Sequence, residues 1–204
     1  MKYLILFDID GTILYLRKRI SRVLFSGLIK KMFGREVPFE AMPDFAGMTD
    51  LQILKEIADN SGMDYNILSG SISDVWNSLA NDFAPYCTKE YVALLPGIEE
   101  LLKKLYKRED VLLGLLTGNF RQHAYLKLKT YGLDMYFGTG AFGSDHEDRN
   151  MLPPIAMQRA NSLMEKKTFY ENNTLIIGDT PRDIECAKTN NLPVLAVATG
   201  TFSY

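Results

Sequence analysis

Asp8-Ile9-Asp10-Gly11-Thr12 follows directly on the apolar run Tyr3-Leu4-Ile5-Leu6-Phe7. The run predicts a short buried strand over Tyr3–Phe7. The end of such a strand is where an open α/β sheet places its chemistry. Two carboxylates two residues apart can divide labour there, one attacking while the other handles protons. Gly11 supplies the backbone freedom that a tight exit needs. On its own, an acidic strand end is more often a turn or a helix cap.

Other strand ends carry polar groups suited to phosphate. The apolar residues 111–116 run into Thr117-Gly118-Asn119 ahead of a helical pattern. A hydroxyl and backbone N–H groups at a helix N-terminus form an anion site, although Thr and Asn serve equally as ordinary N-caps. Residues 175–177 run into Gly178-Asp179-Thr180-Pro181-Arg182-Asp183. Asp179 there can reach a cation with Asp183 supporting it from behind. The plainer alternative is a turn and a cap, with Pro181 opening a helix. Between these segments the loop 144–150 holds Asp145, His146, Glu147, Asp148 and Arg149. Four of those five side chains are expected to be solvated. Each segment alone has a bland explanation, but acid, hydroxyl, cation and acid all fall just past a strand.

Five strands are predicted: Tyr3–Phe7, 111–116, Thr139–Phe142, 175–177 and 194–197. Helical patterns run through Ile98, Leu101, Leu102 and Leu105, then over 120–131, 153–164 and 184–188. Strands alternating with helices imply a parallel sheet covered on both faces. Residues 15–89 break the alternation, with helical periodicity over Ile20–Phe33, Asp50–Asn60 and 67–83 and no convincing strand. A βαβ crossover needs far less chain. The segment therefore predicts an inserted all-helical unit over 15–90, joined by linkers near 14–17 and 86–93, with the core at 1–14 and 91–204. Arg17-Lys18-Arg19 and Arg22 form a basic cluster on its first helix. A solvated face explains such a cluster most simply; a membrane-surface role lacks support elsewhere in the chain, and a third reading has these cations overlooking the active site.

The chain has 204 residues, 47% hydrophobic and 24% charged, as expected of an ordinary globular protein. Its net charge of −2 gives no electrostatic case for nucleic-acid binding. No apolar stretch approaches a bilayer span, and the N-terminus does not read as a signal peptide. Cys87 and Cys186 are far apart, consistent with reduced thiols in a cytoplasmic protein. Two histidines, His123 and His146, do not make a zinc site by themselves.

The ordered set Asp8-Ile9-Asp10-Gly11-Thr12, Thr117-Gly118-Asn119 and Gly178-Asp179-Thr180-Pro181-Arg182-Asp183 resembles the motifs of the haloacid dehalogenase-like hydrolase superfamily. The resemblance spans essentially the whole chain. The insert is similar to the helical cap of the phosphoglycolate phosphatase-like branch, including its segment Gly47-Met48-Thr49-Asp50. The implied fold is α/β, a Rossmann-like parallel sheet with the first and fourth strands side by side and a helical cap. The implied cofactor is Mg²⁺, bound by Asp8, the Asp10 backbone carbonyl and Asp179, with Asp183 behind them. Two departures stand out. The third motif usually offers a lysine, where this chain best places Arg149, followed among cations by Lys166 and Lys167. Leu14-Tyr15-Leu16 replaces the acidic and small residues that commonly follow the first motif. Relatives also continue through more structure after the fifth strand.

The implied activity is Mg²⁺-dependent hydrolysis of a small phosphorylated metabolite. Asp8 is the nucleophile and Asp10 the general acid and base; Thr117 and Arg149 offset phosphoryl charge. Gly11, Gly118, Asn119, Thr49 and Asp50 are the expected substrate contacts. The presence of Asp10 disfavours dehalogenation, whose halide leaving group needs no proton. A sugar-phosphate mutase of β-phosphoglucomutase type and a non-catalytic phosphate-binding module are the alternatives. A monomer or homodimer is expected.

Overall fold

The computed structural model describes residues 2–17, 19–66, 72–164, 166–200 and 202. Its main sheet contains β1 (Tyr3–Phe7), β4 (Val111–Thr117), β5 (Thr139–Phe142), β6 (Thr174–Gly178) and β7 (Val194–Ala196), in the order β5-β4-β1-β6-β7. All pairings in it are parallel. β1 is central, with Phe7 level with Leu115 of β4 and with Ile177 of β6. The three strand ends that carry Asp8, Thr117 and Asp179 are therefore neighbours.

Alternation along each strand sends side chains to opposite faces. Leu4, Leu6, Leu116 and Ile176 pack on α6 (Leu152–Leu163) and α7 (Pro181–Thr189) through Ala156, Ala160, Cys186 and Ala187. Phe7, Leu113, Leu115 and Ile177 pack on α4 (Ile98–Tyr106) and α5 (Arg121–Lys129) through Leu102, Ala124 and Leu128. Burying each such Leu or Phe is worth roughly 1.5–3 kcal/mol. The layers hold the strand ends in register.

The insert contains α1 (Ile20–Phe33), α2 (Asp50–Asn60) and α3 (Ile72–Phe83). Residues 67–71 of the helix expected over 67–83, and Lys18 of the basic cluster, lie outside the described residues. These helices share their own apolar cluster, built around Leu28, Ile29, Leu54, Ile57, Val75 and Leu79. Phe120 from the sheet unit completes it, stacked on Trp76 at 4.8 Å.

The linkers correct the expectation that nothing in this region forms a strand. Leu14–Leu16 (β2) and Val92–Leu94 (β3) pair antiparallel, with Tyr15 opposite Ala93. Three-residue strands are too short to show an alternation pattern, and each is ordered only by the other. The insert thus leaves and rejoins the sheet unit through one ribbon. Among the described residues, no helix is long and apolar enough to cross a membrane.

Candidate active site

Asp8 is the first residue beyond β1, and its N–H extends the ladder to the Ile177 carbonyl at 2.9 Å. That bond fixes the backbone from which its buried side chain projects. Arg149 comes from a short 3₁₀ turn, Arg149–Met151, and places Nη2 3.1 Å from Asp8 Oδ1. The same nitrogen is 2.5 Å from Asp183 Oδ1, while Nη1 donates to the Gly47 carbonyl at 3.1 Å. Arg149 is 5% exposed, so its guanidinium is a fixed buried fork. Burial pushes Asp8 up to about 7, against the pull of Arg149, and Asp183, Asp10 and Asp179 push the same way.

Asp183 fills the capping role open to it from sequence, and its other oxygen holds Arg149 rather than Asp179. Its Oδ2 accepts from the Thr180 N–H at 3.0 Å and hydroxyl at 2.7 Å, capping α7 behind Pro181. Its Oδ1 receives Arg149. Both oxygens are engaged, and the residue is fully buried behind the site.

Asp179 receives the Thr12 hydroxyl at 3.0 Å. Burial pushes it up to about 6, with Thr12 opposing and Asp183 and Asp10 adding to the rise. Gly11 has φ +88°, and a Cβ there would collide with the Asp179 carboxylate. Only glycine permits this approach of the first motif to the fourth.

Asp10 faces the cavity from the other side. Its Oδ2 accepts from Lys127 Nζ at 2.6 Å and from Asn119 Nδ2 at 2.7 Å. Lys127 also donates to Asn119 Oδ1 at 2.6 Å, and Asn119 Nδ2 donates to the buried Thr117 hydroxyl at 2.7 Å. Lys127 is the residue the sequence reading missed. Its signal was a lysine on the helical face of His123, Ala124 and Leu128, all of which are buried. Lys166 and Lys167, the fallback cations, are exposed; Lys167 lies over the Tyr170 ring at 4.9 Å, and neither lines this cavity.

In the charged loop Glu147 and Asp148 are exposed as expected, and Glu147 pairs at the surface with Lys55 of α2 at 3.2 Å. Asp145 departs from expectation, largely buried against Arg159 at 2.5 Å. These partners lie beyond any local sequence window.

The segment Gly47-Met48-Thr49-Asp50 lies over the strand ends. A Cβ on Gly118 would strike the Met48 carbonyl, and Gly118 O accepts from the Asp50 N–H at 2.7 Å. Thr49 caps α2, accepting from the Gln52 N–H, and its hydroxyl donates to the Glu147 carbonyl at 2.6 Å. Asp50 Oδ2 accepts from the Phe120 N–H at 2.7 Å, and burial pushes this carboxyl up to about 7. Asp50 borders the cavity; Thr49 does not. Arg22 borders it from α1 and Arg19 from the position just before that helix, whereas Arg17, also ahead of the helix, does not.

A cavity of about 560 Å³ joins these groups, lined by Asp8, Asp10, Thr117, Asn119, Arg149 and Asp179 on the sheet side. The carboxyl groups of Asp8, Asp10, Asp179 and Asp183 share the site with the two cations Arg149 and Lys127. Carboxylate oxygens of Asp8, Asp179 and Asp183 lie within 4.8 Å of one another. Hard oxygen donors this close together fit a small divalent cation, whose charge would oppose the rise that burial imposes on Asp8 and Asp179. With Asp183 engaged by Thr180 and Arg149, Asp8 and Asp179 are the side chains open to it.

Comparison with known proteins finds relatives in sequence and in fold. A phosphoglycolate phosphatase of Synechococcus elongatus is 31% identical over 108 residues, but that stretch covers only 52% of this chain and 47% of the relative. One from Vibrio vulnificus is 27% identical, covering 91% of this chain and 78% of its own. Among solved structures, a β-phosphoglucomutase from Clostridium difficile superposes with a TM-score of 0.71 at 20% identity, over 96% of this chain and 84% of that one, a likeness of fold. The model of the haloacid dehalogenase-like hydrolase family matches residues 5–197, through the insert and all three strand-end motifs. The chain belongs to that family.

Proposed function

We propose that this chain is an Mg²⁺-dependent phosphomonoester hydrolase of the phosphoglycolate phosphatase-like branch, acting on a small phosphorylated metabolite in the cytoplasm. The observation that carries the reading is the pairing of two differently held carboxylates at one strand end. Asp8 is buried against a fixed guanidinium, and Asp10 is half-exposed to the cavity under an ammonium group. Burial suits a carboxylate that must attack phosphorus without competition from water, and exposure to the cavity suits one that must exchange protons with substrate and water.

Asp8 attacks phosphorus in line and forms an aspartyl-phosphate while Asp10 protonates the departing alkoxide. Asp10 then takes a proton from the water that hydrolyses this intermediate, returning both carboxylates to their starting states. Arg149 and the Thr117 hydroxyl offset charge on the phosphoryl oxygens. Lys127 and Asn119 position Asp10 at the cavity. Asp8, the Asp10 carbonyl and Asp179 would hold Mg²⁺, which supplies neutralisation of phosphoryl charge. The helical insert, taken as 15–90, serves as a cap that excludes bulk water and contacts the rest of the substrate, with Asp50 at its cavity edge.

Asp8→Asn tests this directly. It removes the attacking charge at constant size, so phosphate release should fall roughly a thousandfold or more with circular dichroism unchanged. Normal turnover by a folded variant would reject the covalent route. Glucose 1-phosphates in the same assay separate a hydrolase, which releases phosphate, from a mutase, which returns it to sugar.

A further inference from the structure

The cavity is chemically two-sided. Facing the carboxylates, the insert contributes Leu24, Phe25, Phe45, Met48, Ile53 and Phe83. Ser21 lies beside this wall, and the other polar groups nearest it, Asp50, His123 and Arg22, each have a partner. Asp50 Oδ2 accepts from Phe120, and His123 Nε2 lies 3.1 Å from the Leu79 carbonyl. Arg22 reaches the Pro43 carbonyl at 3.0 Å and lies over the Phe45 ring at 5.1 Å. Arg19 and Asp44 also border the cavity, but both are exposed.

A volume of about 560 Å³ suits a ligand much larger than a two-carbon acid. With its phosphate at Asp8, a short hydroxy acid would leave the far wall unfilled. Its carboxylate would also meet a wall made mostly of aliphatic and aromatic carbon, where the one nearby cation, Arg22, is already bonded to the Pro43 carbonyl. A ring or branched chain there would instead remove apolar surface from water on both partners.

We infer that the substrate is a phosphomonoester whose alcohol part is bulky and apolar, an aromatic ring or branched aliphatic group seated on the Phe25, Phe45 and Ile53 wall. This rests on the phosphomonoesterase reading and adds the class of leaving group. Continuity of the wall with the carboxylate floor commits the apolar surface to the ester itself rather than to a separate ligand.

The test is a series of aliphatic esters of similar leaving ability: ethyl, n-butyl, n-hexyl and 2-phenylethyl phosphate, with phosphoglycolate beside them. Each added methylene should raise kcat/KM about fourfold until the cavity is filled. 2-Phenylethyl phosphate should exceed phosphoglycolate about a hundredfold. A flat series, or phosphoglycolate as the best ester, overturns the inference while leaving the hydrolase reading intact. Hydrolysis of none of these esters, nor of an aryl phosphate, overturns both. Phe45→Asn provides the second measurement, since Phe45 is only half-buried. It should lower the 2-phenylethyl to ethyl ratio of kcat/KM at least tenfold, and Phe45→Leu should restore most of it. An unchanged ratio in Phe45→Asn excludes this wall as the seat of the leaving group.

Discussion

Lys127 Nζ lies 2.6 Å from Asp10 Oδ2, a contact made by a side chain 4% exposed to one 39% exposed. The lysine is thus walled in by protein while its partner opens on the cavity. Asn119 closes the triangle, bonded to both. An ammonium group fixed in this way holds the carboxylate in one orientation instead of leaving it to rotate in solvent.

Lys127→Met keeps the length and apolar stem, and the Asp10 side chain, 39% exposed, keeps its contact with solvent. We expect kcat/KM for an alkyl phosphate to fall tenfold or more, since a well-placed general acid is worth about a hundredfold or more. An aryl ester with a good leaving group should lose far less. Lys127→Arg should recover part of the alkyl activity. Equal losses on both esters would assign Lys127 to folding alone.

Arg149 pairs with both Asp8 and Asp183, so its removal has two consequences. Arg149→Ala should lower kcat on the order of a hundredfold. It should also lower stability by about 3 kcal/mol or more, by leaving buried carboxylates unpaired. Arg149→Lys restores one charge but not the fork that spans Asp8, Asp183 and the Gly47 carbonyl. Partial recovery of activity is expected, with a melting temperature still below wild type. Denaturant titration beside steady-state kinetics separates the two effects.

Activity should require Mg²⁺ and vanish in excess chelator. Asp179→Ala removes one anionic oxygen donor, so a higher Mg²⁺ concentration should be needed for half-activation. Full turnover in chelator would remove the metal from the mechanism.

His123 and Asp50 lie 4.0 Å apart and oppose each other in pH dependence. Burial pushes His123 down to about 3, with Lys127 adding to the fall. Between about pH 3 and 6.5 the unfolded chain therefore binds the extra proton, and acidification costs stability. Asp50 is pushed up to about 7, so between about pH 4 and 7 the folded chain binds the extra proton, and raising the pH costs stability. The raised Asp8 and Asp179 carboxyls add to the Asp50 slope, so only part of the fall with pH is offset by His123 in wild type. Relative to wild type, His123→Gln should make stability fall more steeply between about pH 4.5 and 6.5, and Asp50→Asn should make it fall less steeply, by about 2 kcal/mol in each case. Denaturation midpoints of both variants and of wild type at pH 4.5 and 6.5 check the opposite signs of the two differences.

Much of the fold was legible because its signals are local. Tyr3–Phe7 and Thr139–Phe142 are short apolar runs bounded by turn residues, and Ile20–Phe33 and Asp50–Asn60 carry a helical apolar stripe. Asp8, Thr117 and Asp179 stand at strand ends of a parallel sheet, and the family resemblance supplied the strand order that makes the first and fourth ends neighbours. Pro181 and Asp183 announced a helix start from three residues of sequence.

Tertiary structure decided what depends on distant partners. Leu14–Leu16 and Val92–Leu94 become strands only by pairing with each other. Lys127 is 117 residues from Asp10 in sequence but one hydrogen bond away in space, because α5 turns its buried face to the end of β1. Thr49 read as a substrate contact, yet its hydroxyl is turned to Glu147 by the docking of the insert. Residue type and local spacing set which groups can act and which strand ends present them. Which carboxylate is buried, which cation holds it and what faces it across the cavity follow from packing between segments that no sequence window contains together.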